Sequence, residues 1–251
     1  MPGRSFVWFV GVVSVVSLSA CSEGDAVEAR EASDVTQSQA SAIVTTSDIP
    51  SDIFEDSWAR LHLPQREQLG ADGQRAYDVI VNPDSRYASG LRGPLAMWVY
   101  SPLMAEHIFP ASSYLRFGTE KDQRLTELLI LSTAREVRSQ YEWTSHEPLG
   151  LAAGLEPEII EFVKRRGDLD AAGDIQGLGD RERTLIAFAR EVISEQKVSS
   201  ATFSSALELF GEQGVMDLAG LVGYYSFVNI TLKTFDLQLA PGSERLLPDL
   251  W

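Results

Sequence analysis

Arg124-Leu-Thr-Glu127-Leu-Leu-Ile-Leu131-Ser-Thr-Ala-Arg135-Glu-Val-Arg138-Ser139-Gln140-Tyr141-Glu142-Trp143-Thr-Ser-His146 is the stretch on which the fold of this chain turns. Leu125, Leu128, Leu129, Leu131 and Ala134 recur at helical spacing, which predicts a helix over residues 121–138. Polar Arg138-Ser139-Gln140 interrupts the pattern, and a second helix is expected over 141–153, with Pro148 a candidate kink. Glu127 stands inside an apolar run where a carboxylate is costly to bury without a partner. Glu142 and His146 are four residues apart, on one helical face. On one unbroken helix Glu127 and Glu142 would lie about 22 Å apart. They converge only if the chain folds back at 138–140.

A fold-back there places two carboxylates and an imidazole around one cleft, a set suited to proton transfer. Burial in such a cleft is expected to raise the pKa of one glutamate, leaving it able to act as an acid. Simpler readings of the same residues stand beside this one. Ser139-x-x-Glu142 is also a capping box. Glu127 could pair with Arg124 or Arg135, and two carboxylates with a histidine could form a facial metal site. His62 and His107 are read as structural or surface residues.

Outward from this hairpin the helical period continues, with little strict alternation. Helices are expected over 71–81, ending at Asn82-Pro83, over a short segment opened by Gly93-Pro94, and over 103–117, broken or kinked at Pro110. Further helices are expected over 156–164, 180–194, 200–210 and 212–235 after a Gly/Asp-rich linker at 167–179. The last is apolar around Val215–Val222, yet Asp217 and its limited apolar length favour a buried core helix over a membrane span. The class is all-α, an irregular bundle of packed helical hairpins.

At the other end of the chain, Arg4 and a short apolar run precede Leu18-Ser19-Ala20-Cys21, the order of a secretory signal. Leu-Ser-Ala-Cys resembles the lipobox of bacterial lipoproteins, which implies lipid attachment at Cys21 after removal of residues 1–20, and export to a bacterial membrane, the outer one where the cell has one. Residues 21–52, rich in Glu, Ser, Thr and Ala, are expected to form a flexible acidic tether to a domain at 53–251. Cys21 is the one cysteine, so the folded part is expected to rely on packing without disulfides. A formal charge of −15 disfavours nucleic acid and anionic lipid head groups as electrostatic partners.

The Arg124–Leu131 run followed by Gln140-Tyr141-Glu142-Trp143-Thr-Ser-His146 resembles the carboxymuconolactone decarboxylase family, which shares an all-helical fold with the alkylhydroperoxidase D (AhpD) proteins. Tyr114-Leu-Arg116-Phe-Gly-Thr119 upstream, and Asp180-Arg-Glu-Arg-Thr-Leu-Ile-Ala-Phe-Ala and Leu221-Val-Gly-Tyr224-Tyr225 downstream, extend the likeness. In the peroxidase branch the motif is a Glu, a Cys-x-x-Cys and a His four residues beyond; here Ser139 and Glu142 occupy the cysteine positions. Neither can attack sulfur, so thiol-dependent peroxidase chemistry is not expected. The resemblance implies instead a cofactor-free acid–base enzyme on a small organic acid or lactone, with Glu127, Glu142 and His146 as catalytic residues. The roles expected within such a site are His146 as proton donor or shuttle, Glu142 as its orienting or relaying partner, and Glu127 poising the pocket and holding a water or substrate proton. An acidic substrate on an acidic protein needs a local positive group, for which Arg135 or Arg138 is the candidate. The resemblance also implies a homo-oligomer, commonly a trimer. The alternative function is a lipid-tethered binding or assembly protein on the same scaffold.

Overall fold

The computed structural model describes residues 43–248. Cys21, the expected signal at 1–20 and most of the expected tether lie outside the described residues. Eight helices make up the fold described, with no strand among the described residues beyond the isolated bridges Ile43–Glu244 and Phe54–Ala59. They are α1 (Ala71–Ile80), α2 (Pro94–Trp98), α3 (Pro102–Ser113), α4 (Gln123–Glu136), α5 (Gln140–Ala152), α6 (Pro157–Lys164), α7 (Asp180–Ser194) and α8 (Ser200–Thr234).

The centre is α4. Asp122 caps it, its Oδ1 accepting from the Leu125 N–H at 2.8 Å. Every residue from Leu125 to Arg135 is buried, because α5, α6, α7, α8 and the turn before α4 all pack around it. A helix enclosed on all sides buries whatever polar groups it carries, and Glu127 is one of them.

The fold-back falls where the polar break predicts it. Arg138 takes a left-handed conformation at φ 56, the Ser139 N–H donates to Ala134 O at 2.8 Å, and the Arg138 N–H donates to Arg135 O at 3.2 Å. This pairing is a Schellman stop, with arginine at the position usually held by glycine. Ser139 then caps α5 by accepting the Glu142 N–H. On α5, Gly150 lies one turn beyond His146. A Cβ there would meet Leu131 Cδ1 at 3.3 Å and Glu127 Cβ at 3.8 Å, so its bareness lets α5 approach α4 closely at the level of the site.

Two expectations are corrected. Pro110 does not break its helix: α3 runs through it, and the irregularity comes just after, as a π-helical turn at Tyr114–Gly118. Proline removes one backbone donor, and the wider turn downstream absorbs the altered register. Contacts with the body of the fold also begin before Ile53. Val44 is buried, its N–H donating to Ser243 O at 2.9 Å while its carbonyl accepts from the Gly242 N–H at 2.8 Å. Short polar sequence there hides a segment held by backbone bonds to residues far along the chain.

α8 contains the expected break between two helices, at Gly211 (φ 69, ψ 176). By length and composition α8 could cross a membrane, but Leu218, Leu221, Val222, Tyr225 and Val228 are buried against the rest of the fold. A second apolar cluster gathers Ala76, Ile80, Leu95, Trp98 and Leu232, where the Trp98 indole donates to Thr231 Oγ1 at 2.9 Å.

Gly211 occupies a backbone region that is essentially restricted to glycine, and nothing lies within 4 Å of a Cβ placed there. Gly211→Ala is therefore expected to cost about 1–3 kcal/mol through backbone strain alone. Urea unfolding measures it, and an unchanged midpoint would contradict the assignment.

Candidate active site

Four elements converge on His146. Glu127 comes from α4, Glu142 and His146 from α5, Tyr225 from α8, and Arg116 from the π-helical turn after α3. All five are buried, none more than 7% exposed. His146 Nδ1 lies 2.6 Å from Glu127 Oε2, and Arg116 Nη2 donates to the other Glu127 oxygen at 3.2 Å. On the far side of the ring, Nε2 faces Glu142 Oε2 at 3.4 Å and the Tyr225 hydroxyl at 3.3 Å. The Tyr225 ring meets the imidazole edge-on, with centroids 5.1 Å apart.

The three residues singled out in the sequence are thus brought together, with roles redistributed. The orienting contact at Nδ1 comes from Glu127, while Glu142 flanks the opposite nitrogen. The capping-box reading holds only in half. Ser139 Oγ accepts the Glu142 N–H, but the Ser139 N–H is committed to Ala134 O, which leaves the Glu142 carboxyl facing His146. Arg124 is not the partner of Glu127, since it pairs with Glu156 and Glu182 across to α7.

The two arginines expected to serve the substrate lie toward the end of α4 and at the turn that follows it. Arg135 Nε donates to Lys164 O at 2.7 Å, and Arg138 is exposed at the turn. Arg116 and Tyr225 reach this centre, and neither was expected there from the sequence. The sequence held a signal for both, since each lies within a segment carrying the family likeness. Distance along the chain concealed Tyr225, 79 residues beyond His146, while Arg116, 11 residues before Glu127, was concealed by the π-helical turn that carries it. His62, beside Asp56 and stacked on Phe54, and His107 are exposed, away from this centre.

Electrostatics follow from the contacts. Burial pushes the Glu127 carboxyl up, but His146 and Arg116 outweigh it and hold the group below the ordinary glutamate range. The expectation of a glutamate raised by burial is therefore corrected for Glu127, because the penalty is overcome by two basic partners. Burial likewise lowers His146, and the carboxyl groups of Glu127 and Glu142 overcome it, raising the imidazole above its ordinary value. Burial keeps the Tyr225 phenol protonated far above its usual range. The imidazole can release its Nε2 proton and then accept a hydrogen bond from Tyr225 with its Nδ1 proton still held by Glu127. Among the described residues no group of three or more His, Cys, Asp or Glu is arranged to hold a metal ion. The oxygens of Glu127 already face a guanidinium and an imidazole.

Arg116 also borders a cavity of about 430 Å³, lined in part by Tyr87, Phe109, Phe117 and Tyr224. The cavity thus reaches the outer member of the chain Arg116–Glu127–His146.

No family model and no curated protein matches this chain. Among solved structures, it is similar to an alkylhydroperoxidase AhpD core, an uncharacterized peroxidase-related protein from Ralstonia eutropha JMP134, at 16% identity and a TM-score of 0.56. The match covers 72% of this chain and 92% of that one. At that identity the likeness concerns the fold, which is an AhpD-like helical bundle.

Because the folded value of His146 lies above its ordinary 6.5, its contribution to stability is full below 6.5 and is lost as pH rises through the folded value. Glu127 lies below its ordinary 4.5, so its contribution is full above 4.5 and is lost as pH falls through the folded value. The stability difference between the native chain and Glu127→Gln is expected to be largest between pH 4.5 and 6.5, and to narrow on both sides. Imidazole NMR on the same variant should show His146 titrating at lower pH. An unmoved titration would contradict the assigned pairing.

Proposed function

We propose that this protein is a cofactor-free acid–base enzyme of carboxymuconolactone decarboxylase type, acting on a small carboxylated or lactone substrate. The observation that carries the reading is the buried His146–Glu127 contact at 2.6 Å with Arg116 on the second carboxylate oxygen. Such an arrangement fixes the tautomer of the imidazole and leaves one nitrogen to exchange a proton. In the proposed reaction the bond between the carboxylate and the substrate carbon breaks, its electron pair stays on that carbon, and carbon dioxide leaves. His146 supplies the proton that forms the new C–H bond and regains one from water. Glu127 orients the ring and balances its charge, and Tyr225 and Glu142 flank the transferring nitrogen.

Thiol peroxidase chemistry is not proposed. Residues 139 and 142 are serine and glutamate, and the one cysteine, Cys21, lies far along the chain from them.

A capture-only reading is favoured by one observation. His146 is 5% exposed, and the cavity borders Arg116, one step removed from the imidazole. The two readings part on turnover. With a panel of small lactones and unsaturated carboxylic acids, the native chain is expected to release carbon dioxide or exchange a carbon-bound proton with at least one. His146→Ala should lower that rate by about 10²–10⁴-fold. No turnover across the panel, or unchanged turnover in His146→Ala, would overturn the enzymatic reading.

We further propose that the protein is exported and lipid-anchored through Cys21, and that it assembles as a homo-oligomer. Fractionation of cells checks the first: Cys21→Ser should move the protein from the membrane to the soluble fraction. A native chain recovered soluble with an unmodified thiol would contradict it.

A further inference from the structure

We propose that the cavity beside Arg116 binds a small planar carboxylate, with its carboxylate on the Arg116 guanidinium and its ring or conjugated body among Tyr87, Phe109, Phe117 and Tyr224. Arg116 is 7% exposed, and its Nε has no hydrogen-bond partner among the described residues, although Nη2 is used on Glu127. Buried donors are rarely left unpaired, and a guanidinium presents several in a rigid fork. Arg116 borders the cavity, and an acceptor entering there would give its guanidinium the partner that the buried Nε lacks.

The rest of the wall shapes what can enter. The four aromatic rings favour a flat apolar body. A cavity of about 430 Å³ accommodates a single ring with its substituents.

This deepens the proposed function by naming the substrate class, and the binding itself does not depend on turnover. Bound there, a carboxylate would share Arg116 with Glu127 and so lie next to the group that sets the charge of His146.

Benzoate is the probe, with benzamide as its neutral counterpart of the same shape, titrated calorimetrically into the full chain. Benzoate is expected to bind saturably and benzamide about tenfold or more weakly. Ring protons of bound benzoate should show nuclear Overhauser contacts to Phe109 and Tyr224 in the native chain. Arg116→Lys should weaken benzoate about tenfold, since it keeps the charge and loses the fork. The native-chain comparison needs no variant, so a misfolded Arg116→Lys leaves the test intact. Equal affinity for the two probes, no saturable benzoate binding, or contacts elsewhere on the surface would overturn the inference. Arg116-dependent benzoate binding without turnover of any substrate would retain this site and remove the proposed enzyme. Turnover lost in His146→Ala, with no benzoate binding in the native chain, would do the reverse.

Discussion

A carboxylate buried in the most enclosed helix of the protein is the constraint from which the arrangement follows. Glu127 stands between buried Leu125 and the buried run at 128–131, and placing its charge there unaccompanied would be prohibitive. Two basic groups answer it from different elements. Arg116 arrives from a π-helical turn, and His146 from a helix folded back by the stop at Arg138. Removing one partner of such a buried set costs about 3–5 kcal/mol, because a charge is then left without compensation. The hairpin geometry, the bare Gly150 surface and the π turn together serve to satisfy one acidic side chain.

The same constraint makes the site chemically asymmetric. One imidazole nitrogen is committed to Glu127, and the other meets Tyr225 and Glu142, so only the second is available to change its proton. Arg116 connects this buried pair to the aromatic-lined cavity. In the proposed binding site, a charge entering that cavity would compete for the guanidinium that neutralises Glu127, and binding and proton affinity would be coupled through one side chain.

Much of this was legible in the sequence because it rests on period and punctuation. The α4 and α5 helices, the fold-back at 138–140, and the break between 200–210 and 212–235 all follow from apolar spacing and a few polar or glycine positions. Glu127, Glu142 and His146 could be grouped because one short hairpin joins them. Tyr225 could not, since it lies 79 residues beyond His146. Nor could Arg116, which lies 11 residues before Glu127 and reaches it from a π-helical turn that apolar spacing does not announce. The stop at Arg138 carried no glycine to announce its left-handed conformation. Pro110 suggested a break that the helix accommodates one turn later. The partner roles of the two glutamates were exchanged because helical spacing reports which residues share a face, and says nothing of which imidazole nitrogen each one meets.

The most direct test of the central claim is long-range ¹H–¹⁵N NMR of selectively labelled histidine in the native chain at neutral pH. The account predicts that His146 keeps a slowly exchanging, strongly downfield proton on Nδ1, held by Glu127. A ring whose Nδ1 carries no proton, or one whose protons exchange freely with water, would contradict it.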